Sequence, residues 1–354
     1  VKFLCINPGS TSTRIAVFTG DHADWSMNVK HKNEELEKFE RIQDQLDYRF
    51  SLISDALKEN GVDLHALSAV AGRGGALRPI EGGVYAISEA MLADCRSGAY
   101  AEHPSNLGCQ LALMFSQPLG IPAFVVDPPL IDEFEEVSRI TGLPELKRTS
   151  AFHPLNQKAV ADLAAGKLGK RTEELNIVTV HMGSGISVTS HKKGRCIDNN
   201  YGSGGDGPFS PERCGRLPAL ALLEEIASED DPDEAAWKKS FSKKSGIVSY
   251  LGTNDVPELE ERVARGDGYA KDVLDAMAHL IAKEVAAYCA AMGFQVDAVG
   301  ITGAIARSDY IVGRLTGEIS FIAPTYVFPG EFEMEALAKG AFKALTGEVQ
   351  VKTY

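Results

Sequence analysis

The sequence predicts an α/β protein of two related halves, each a hairpin-led sheet flanked by helices, with a cleft between the halves. Three observations carry that prediction. The chain has 354 residues, too many for one ordinary core and suited to two domains of roughly 150 residues each. Short apolar strands alternate with amphipathic helices along its length. The segments starting near Lys2 and near Asn176 share one grammar of leading strand, Gly/Ser turn and amphipathic return strand, an internal repeat visible as architecture rather than identity.

Taken in order, 2–7 reads as a strand, 8–13 as a tight polar turn and 14–18 as a second strand. So short a connection closes an antiparallel hairpin, not a crossover unit. The span 36–58 carries Leu36, Phe39, Ile42, Leu46, Phe50, Ile53 and Leu57 at helical spacing, with a break expected at 47–50. A short apolar strand at 66–71 ends in Gly72-Arg73-Gly74-Gly75. Helices are expected at 87–94 and 106–116, and an apolar run at 122–126 delivers Asp127, followed by two prolines. Segments 134–141 and 156–165 read as helical. In the second half, 176–182, 186–191 and 195–197 read as strands joined by Gly183-Ser184-Gly185 and Lys193-Gly194. A Gly/Pro-rich loop fills 202–218, long enough to be functional. Helices follow at 219–229, 257–264 and 269–292, then a strand at 296–302 ending in Gly303, and a closing helix at 332–345.

Apolar residues make up 44% of the chain and charged residues 24%, a composition for packed globular domains. The formal charge of −13, from 36 Lys+Arg against 49 Asp+Glu, comes without a basic stripe, so no nucleic-acid partner is expected. Groups that hold an anionic substrate must therefore be local, because the net field repels it. The six cysteines (Cys5, Cys95, Cys109, Cys196, Cys214 and Cys289) lack disulfide or zinc spacing and read as buried residues of a reducing compartment. No apolar run approaches the ~18 residues of a membrane span, and no signal-peptide pattern precedes the first strand. The expected location is cytoplasmic.

Several polar or glycine-rich residues follow directly on apolar strands: Asn7, the Gly72–Gly75 turn, Asp127, His181 with Gly183-Ser184-Gly185, and Gly303. Together they suggest a phosphate-handling site, since such turns let backbone N–H groups converge on an anion. Neither a P-loop nor a dinucleotide fingerprint is present. His153 reads as a helix-start residue or a donor to a phosphoryl oxygen, and His181 as a core histidine or a site residue. Asp206 reads as a turn aspartate or a ligand contact. Arg213 suits a carboxylate or an equatorial phosphoryl face, and Asp127 a Mg²⁺ ligand or water-positioner.

The chain resembles the acetate kinase family of the sugar kinase/Hsp70/actin superfamily. The matching segments run in family order: 6–13 (INPGSTST), Arg73-Gly74-Gly75, 102–108 (EHPSNLG), 126–128 (VDP), 152–158 (FHPLNQK), 181–186 (HMGSGI), 206–213 (DGPFSPER), 250–253 (YLGT) and 321–324 (FIAP). That resemblance implies duplicated ribonuclease-H-like, actin-like ATPase domains with mixed five-stranded sheets and an interdomain site for ATP. It places an acyl-side domain at 1–155, with 329–354 packing back on it, and a nucleotide-side domain at 156–328. It implies Asn7 with Ser10, Thr11 and Ser12 as the first phosphate loop, His181 to Gly185 (including Gly183 and Ser184) as the second, and Asp206, Gly303 and Ala304 as nucleotide contacts. Arg73 and Arg213 would bracket the carboxylate and the γ-phosphoryl group, which His153 would steady. Asp127 would orient the acceptor or Mg²⁺, and Glu333 would coordinate Mg²⁺, with Glu331 as the alternative. Ala304 stands where the family usually has a second glycine.

The activity implied is reversible, ATP- and Mg²⁺-dependent phosphorylation of butyrate to butyryl phosphate by in-line transfer. Acetate, propionate or isobutyrate are the alternative acceptors, a non-catalytic ATP-binding switch the alternative of another class, and a sugar kinase a third. The expected partners are a small carboxylic acid, its acyl phosphate and a second copy of the chain, in a homodimer or higher homo-oligomer.

Overall fold

The computed structural model describes residues 1–202 and 205–354, so Ser203 and Gly204 of the predicted 202–218 loop lie outside the described residues. Two compact units account for the chain: Val1–Asp132 with Phe332–Tyr354, and Glu133–Glu331. Residues 133–155, read from sequence with the first domain, pack within the second unit.

In the first unit, β1 (Lys2–Pro8), β2 (Ser12–Thr19) and β3 (His22–Lys30) form an antiparallel meander. β4 (Ala69–Gly72) runs parallel to β1 and β6 (Ala123–Val126) parallel to β4, while the short β5 (Val84–Ala86) closes the edge antiparallel to β6. The sheet order is β3-β2-β1-β4-β6-β5, six strands where five were expected. Its helices are α1 (Asn33–Leu36), α2 (Leu46–Glu59), α3 (Glu89–Ser97), α4 (Asn106–Ser116) and the chain's last, α12 (Glu333–Thr346). Leu4, Ile6, Ile15, Ile53, Leu57 and Leu111 fill the core between sheet and helices. On the other face α12 lies against β1, with Phe342 edge-on to Phe3 at 6.3 Å between ring centroids.

The second unit repeats that plan. β7 (Asn176–Met182), β8 (Ile186–Lys192) and β9 (Arg195–Asn199) form the meander, and β10 (Ala298–Gly303) and β11 (Thr325–Pro329) extend it in parallel. The order β11-β10-β7-β8-β9 matches β6-β4-β1-β2-β3 strand for strand, with the same directions at every pair. Around it stand α5 (Pro154–Lys167), α6 (Ala219–Ala227), α7 (Glu234–Lys243), α8 (Ile247–Leu251), α9 (Val256–Ala264), α10 (Gly268–Ala290) and α11 (Asp309–Ile319). Met277, Ile281 and Val285, one stripe of α10, are fully buried, each worth about 1.5–3 kcal/mol of transfer free energy.

Two sequence expectations are corrected. The 36–58 pattern is not one helix broken at 47–50: the interruption falls between Leu36 and Leu46, bridged by a 3₁₀ turn at Ile42–Gln45, and Tyr48 and Phe50 lie inside α2. The 134–141 segment is no helix beyond a 3₁₀ turn at Glu136–Ser138, and its Val137 and Ile140 stay exposed, so no apolar face anchors it.

Candidate active site

Asn7 closes β1 and Arg73 follows β4, the strand beside it, so the sheet sets their side chains at neighbouring strand ends. The first turn of α12 brings Glu333 to the same point. Asn7 Nδ2 donates to Glu333 Oε2 at 2.6 Å, and Arg73 Nη1 donates to Glu333 Oε2 at 3.1 Å and to Asn7 Oδ1 at 3.3 Å. Only Nη1 of the guanidinium is engaged; Nε and Nη2 have no partner among the described residues. The glycines beside Arg73 serve packing: a Cβ on Gly75 would lie 2.6 Å from Cα of Asn106, and one on Gly72 would lie 2.2 Å from the Gly108 carbonyl oxygen of α4. Their closeness to α4 is what aims Arg73.

The β1–β2 turn, with Ser10 and Thr11 exposed and Ser12 half-buried, is held from below by a residue the sequence reading missed. Arg49 of α2 is fully buried and has no carboxylate partner among the described residues. Its Nη1 donates to the Gly9 carbonyl at 2.8 Å and to Thr13 Oγ1 at 3.2 Å, and its Nη2 to the Ser10 carbonyl at 3.2 Å and Gln45 Oε1 at 2.8 Å. Burial pulls its pKa down to about 10. The signal was present: Arg49 sits on the apolar stripe of Leu46, Ile53 and Leu57, where a charge needs a structural reason. His31 packs against the same turn, its Nε2 2.9 Å from Thr13 Oγ1, and burial together with the Arg49 charge lowers its pKa to about 4.

In the second unit, His153 precedes α5 and His181 lies near the end of β7. Their rings stack at 3.9 Å between centroids and 14° between planes. His153 Nδ1 lies 2.9 Å from Ser187 Oγ, and His181 Nδ1 2.9 Å from Asn156 Nδ2. Arg213 lies over the β7–β8 turn, where a Cβ on Gly185 would come within 2.1 Å of its Nη1. Its side-chain nitrogens have no hydrogen-bond partner among the described residues, and burial lowers its pKa while leaving it a cation. Half-buried donors without acceptors are costly, so the arrangement is built to receive an anion.

The same turn opens onto a cavity of about 470 Å³ whose lining includes Gly183, Ser184, Val256, Pro257, Ala304 and Ile305. Gly303, at φ 95°, permits the approach of the two turns: a Cβ there would lie 2.2 Å from the Met182 carbonyl oxygen. Val256, Pro257 and Ile305 supply an apolar wall that sequence reasoning did not pick out. The volume and mixed lining suit a nucleotide-sized ligand.

Asp206 and Asp127, also expected in the site, are each held by partners of their own. Asp206 is paired with Arg216 at 2.6 Å and lines a different cavity, of about 560 Å³, with Arg148, Asp198, Glu284 and Tyr288. Asp127 adopts φ 38°, and Asp127 and Gly83 latch each other, Gly83 N donating to Asp127 Oδ1 at 2.8 Å and Asp127 N to the Gly83 carbonyl at 3.0 Å. Among the described residues no three His, Cys, Asp or Glu side chains gather as a metal cage. A Mg²⁺ carried on nucleotide phosphates needs only one or two carboxylates, which Glu333 through Oε1 would meet. Cys5, Cys95, Cys109, Cys196 and Cys289 are buried and Cys214 is half-buried. No helix among the described residues is long and apolar enough to cross a membrane.

Two mixed sheets with one repeated strand order, each ending in a polar turn, define a duplicated ribonuclease-H-like protein of the actin-like ATPase fold. The chain belongs to the acetokinase family, whose model matches residues 145–320. It is 44% identical over 354 residues to a "Probable butyrate kinase" of Coprothermobacter proteolyticus, covering 100% of this chain and 99% of that one. It is 42% identical over 353 residues to another "Probable butyrate kinase", from Clostridium botulinum (strain Alaska E43 / Type E3), with 100% and 99% covered. The crystal structure of Porphyromonas gingivalis acetate kinase is similar with a TM-score of 0.78 at 19% identity, covering 98% of this chain and 99% of that chain.

Proposed function

We propose that this chain is a carboxylate kinase that transfers the γ-phosphoryl group of ATP to butyrate, giving butyryl phosphate and ADP reversibly. The observation that carries the reading is made within each unit by itself: Arg73 in the first and Arg213 in the second are half-buried, with guanidinium donors no described residue uses. A carboxylate acceptor and a phosphoryl group are the anions such forks take bidentately. The relatives named butyrate kinases support butyrate as the acceptor.

A carboxylate is already a competent oxygen nucleophile, so no general base is required and the protein positions and neutralises charge. Arg73, aimed by Asn7 and Glu333, orients the acceptor carboxylate. Arg213 and the Nε2 edge of His153 stabilise the equatorial oxygens of the transferring group. The Ser10–Ser12 turn, shored up by Arg49, and the His181–Gly185 turn offer backbone N–H groups to phosphates, and the cavity beside Ala304 holds the nucleoside. Asp206, through its pairing with Arg216, keeps the loop before α6 in place beside that site. Glu333, with Asp127 as a second oxygen ligand, would hold Mg²⁺, and the ion would supply charge that offsets the nucleotide phosphates.

The reading places the enzyme in the cytoplasm as a homodimer or higher homo-oligomer. The helix α6, rich in Leu and Ala, buries none of its residues, and Leu217, Leu220 and Leu223 are exposed there, which supports a second copy as its cover. The decisive test is a coupled assay with ATP and Mg²⁺ against linear and branched acids of two to six carbons. The highest kcat/KM is expected for butyrate. Turnover of none of them, alongside measurable nucleotide binding, would overturn the reading in favour of a binding switch.

A further inference from the structure

His153 is the outer end of a chain of side chains that runs through the core of the second unit. His153 Nδ1 meets Ser187 Oγ at 2.9 Å; Ser187 Oγ meets Gln157 Nε2 at 2.6 Å; Gln157 Oε1 meets Thr179 Oγ1 at 2.5 Å; Thr179 Oγ1 meets His191 Nε2 at 2.7 Å; and His191 Nδ1 meets Cys196 Sγ at 3.4 Å. Gln157, Thr179 and His191 are 0% exposed and Ser187 1%. A row of four polar side chains in a core gains little over well-packed apolar ones, so stability alone does not account for it.

The chain has a direction, and one contact sets it. Gln157 Nε2 also approaches the Ser187 backbone carbonyl at 3.4 Å. A carbonyl can only accept, so the amide nitrogen faces Ser187 and the amide oxygen faces Thr179. Thr179 must then donate its single proton to Gln157 Oε1. That leaves His191 to donate from Nε2 to Thr179, with its Nδ1 accepting from the Cys196 thiol. At the other end, Gln157 donates to Ser187 Oγ, and Ser187 keeps its own proton for His153 Nδ1.

We propose that this buried chain holds His153 in the tautomer protonated at Nε2, making Gln157, Thr179 and His191 positioning residues for phosphoryl transfer. His153 then offers an N–H donor, not a lone pair, to the anion it serves, while stacking on His181 fixes the plane of its ring. His191 cannot break the chain by charging: burial, deepened by the Lys158 charge and opposed by Glu133 and Asp162, lowers its pKa to about 3. It remains a neutral ring with one proton throughout the working range.

The kinetic part of this inference rests on the carboxylate-kinase reading; the tautomer does not. The experiment is ¹⁵N NMR of the full chain labelled at histidine, with His153 assigned by difference against His153→Gln, alongside kinetics of Thr179→Val and Thr179→Ser. The expected spectrum shows neutral His153 protonated at Nε2. Thr179→Val should lower kcat about 10- to 100-fold with KM for ATP and acid near wild type, and Thr179→Ser should restore it. Gln157→Met, which removes the donor to Ser187 Oγ, should leave the His153 proton divided between Nδ1 and Nε2, and it serves as the second variant if Thr179→Val does not fold. A wild-type His153 protonated at Nδ1, or a folded Thr179→Val with unchanged kcat, overturns the proposal. A wild-type chain inactive on every acid would overturn the function reading, and the tautomer spectrum alone would then decide this one.

Discussion

Glu333 Oε2 accepts a 2.6 Å hydrogen bond from Asn7 Nδ2 across 326 positions of sequence, and the same oxygen accepts from Arg73. The first strand and the last helix of the chain thus meet on one carboxylate oxygen. Glu333→Gln keeps the shape and removes the charge. We expect kcat to fall about 100-fold with a raised Mg²⁺ requirement, while stability changes by no more than ~1 kcal/mol. A Mg²⁺ titration of kcat checks it; unchanged activity and metal dependence would remove Glu333 from the metal side.

Arg213 and Gly185 form a second testable pair. Arg213→Ala should lose at least about 100-fold in turnover with the protein still folded, because the half-buried guanidinium has no hydrogen bond to lose among the described residues. Gly185→Ala should act in the same direction by a different route, its methyl displacing the guanidinium it would approach at 2.1 Å. Kinetics with circular dichroism of both variants is the check. Normal turnover in the glycine variant would mean that Arg213 moves freely during catalysis.

Arg49→Met tests the support beneath the β1–β2 turn. Removing the guanidinium leaves the carbonyls of Gly9 and Ser10 without their buried donor, a loss of about 2–4 kcal/mol. KM for ATP should rise in the same variant, since the turn would no longer be held in shape. Urea denaturation and steady-state kinetics measure the two effects separately.

Stability should depend on pH through His31 and His191. Their pKa values are lowered to about 4 and about 3, the first by burial and the Arg49 charge, the second by burial and Lys158. Below the unfolded value of about 6.5 the unfolded chain binds protons that the folded chain does not, so stability rises with pH up to that point and is flat above it. Each histidine adds a slope of up to ~1.4 kcal/mol per pH unit between its folded and unfolded pKa values. His31→Asn should lose one such slope between about pH 4 and 6.5, read by urea denaturation across that range. An unchanged slope would show that His31 is charged in the folded state.

How much was legible depended on the kind of information each element carries. Both leading hairpins were readable because strands buried on both faces leave short runs of apolar and β-branched residues between turn residues: β1 and β8 are buried along nearly their whole length. The helix at 106–116 was placed to the residue because α4 is buried over most of its surface. β3 was missed because Val29 is its only buried residue, and α7 because it buries none; each forms through its neighbours rather than through its own pattern. The 325–329 strand, bounded by Pro324 and Pro329-Gly330, looks like a turn until β10 pairs with it.

By itself, the sequence determined the doubled architecture and the residue types of the site, since strand-end positions and turn glycines are local features that propensity and steric limits dictate. Only the tertiary structure decided which of them meet. Glu333 and not Glu331 shares an oxygen between Asn7 and Arg73; Asp206 is occupied with Arg216; Arg49 supports a turn about 40 residues before it; and a polar chain from β7, β8, β9 and α5 ends on His153. The reason is physical: which buried donor finds which acceptor is settled by packing between segments distant in sequence, and no local pattern encodes that pairing.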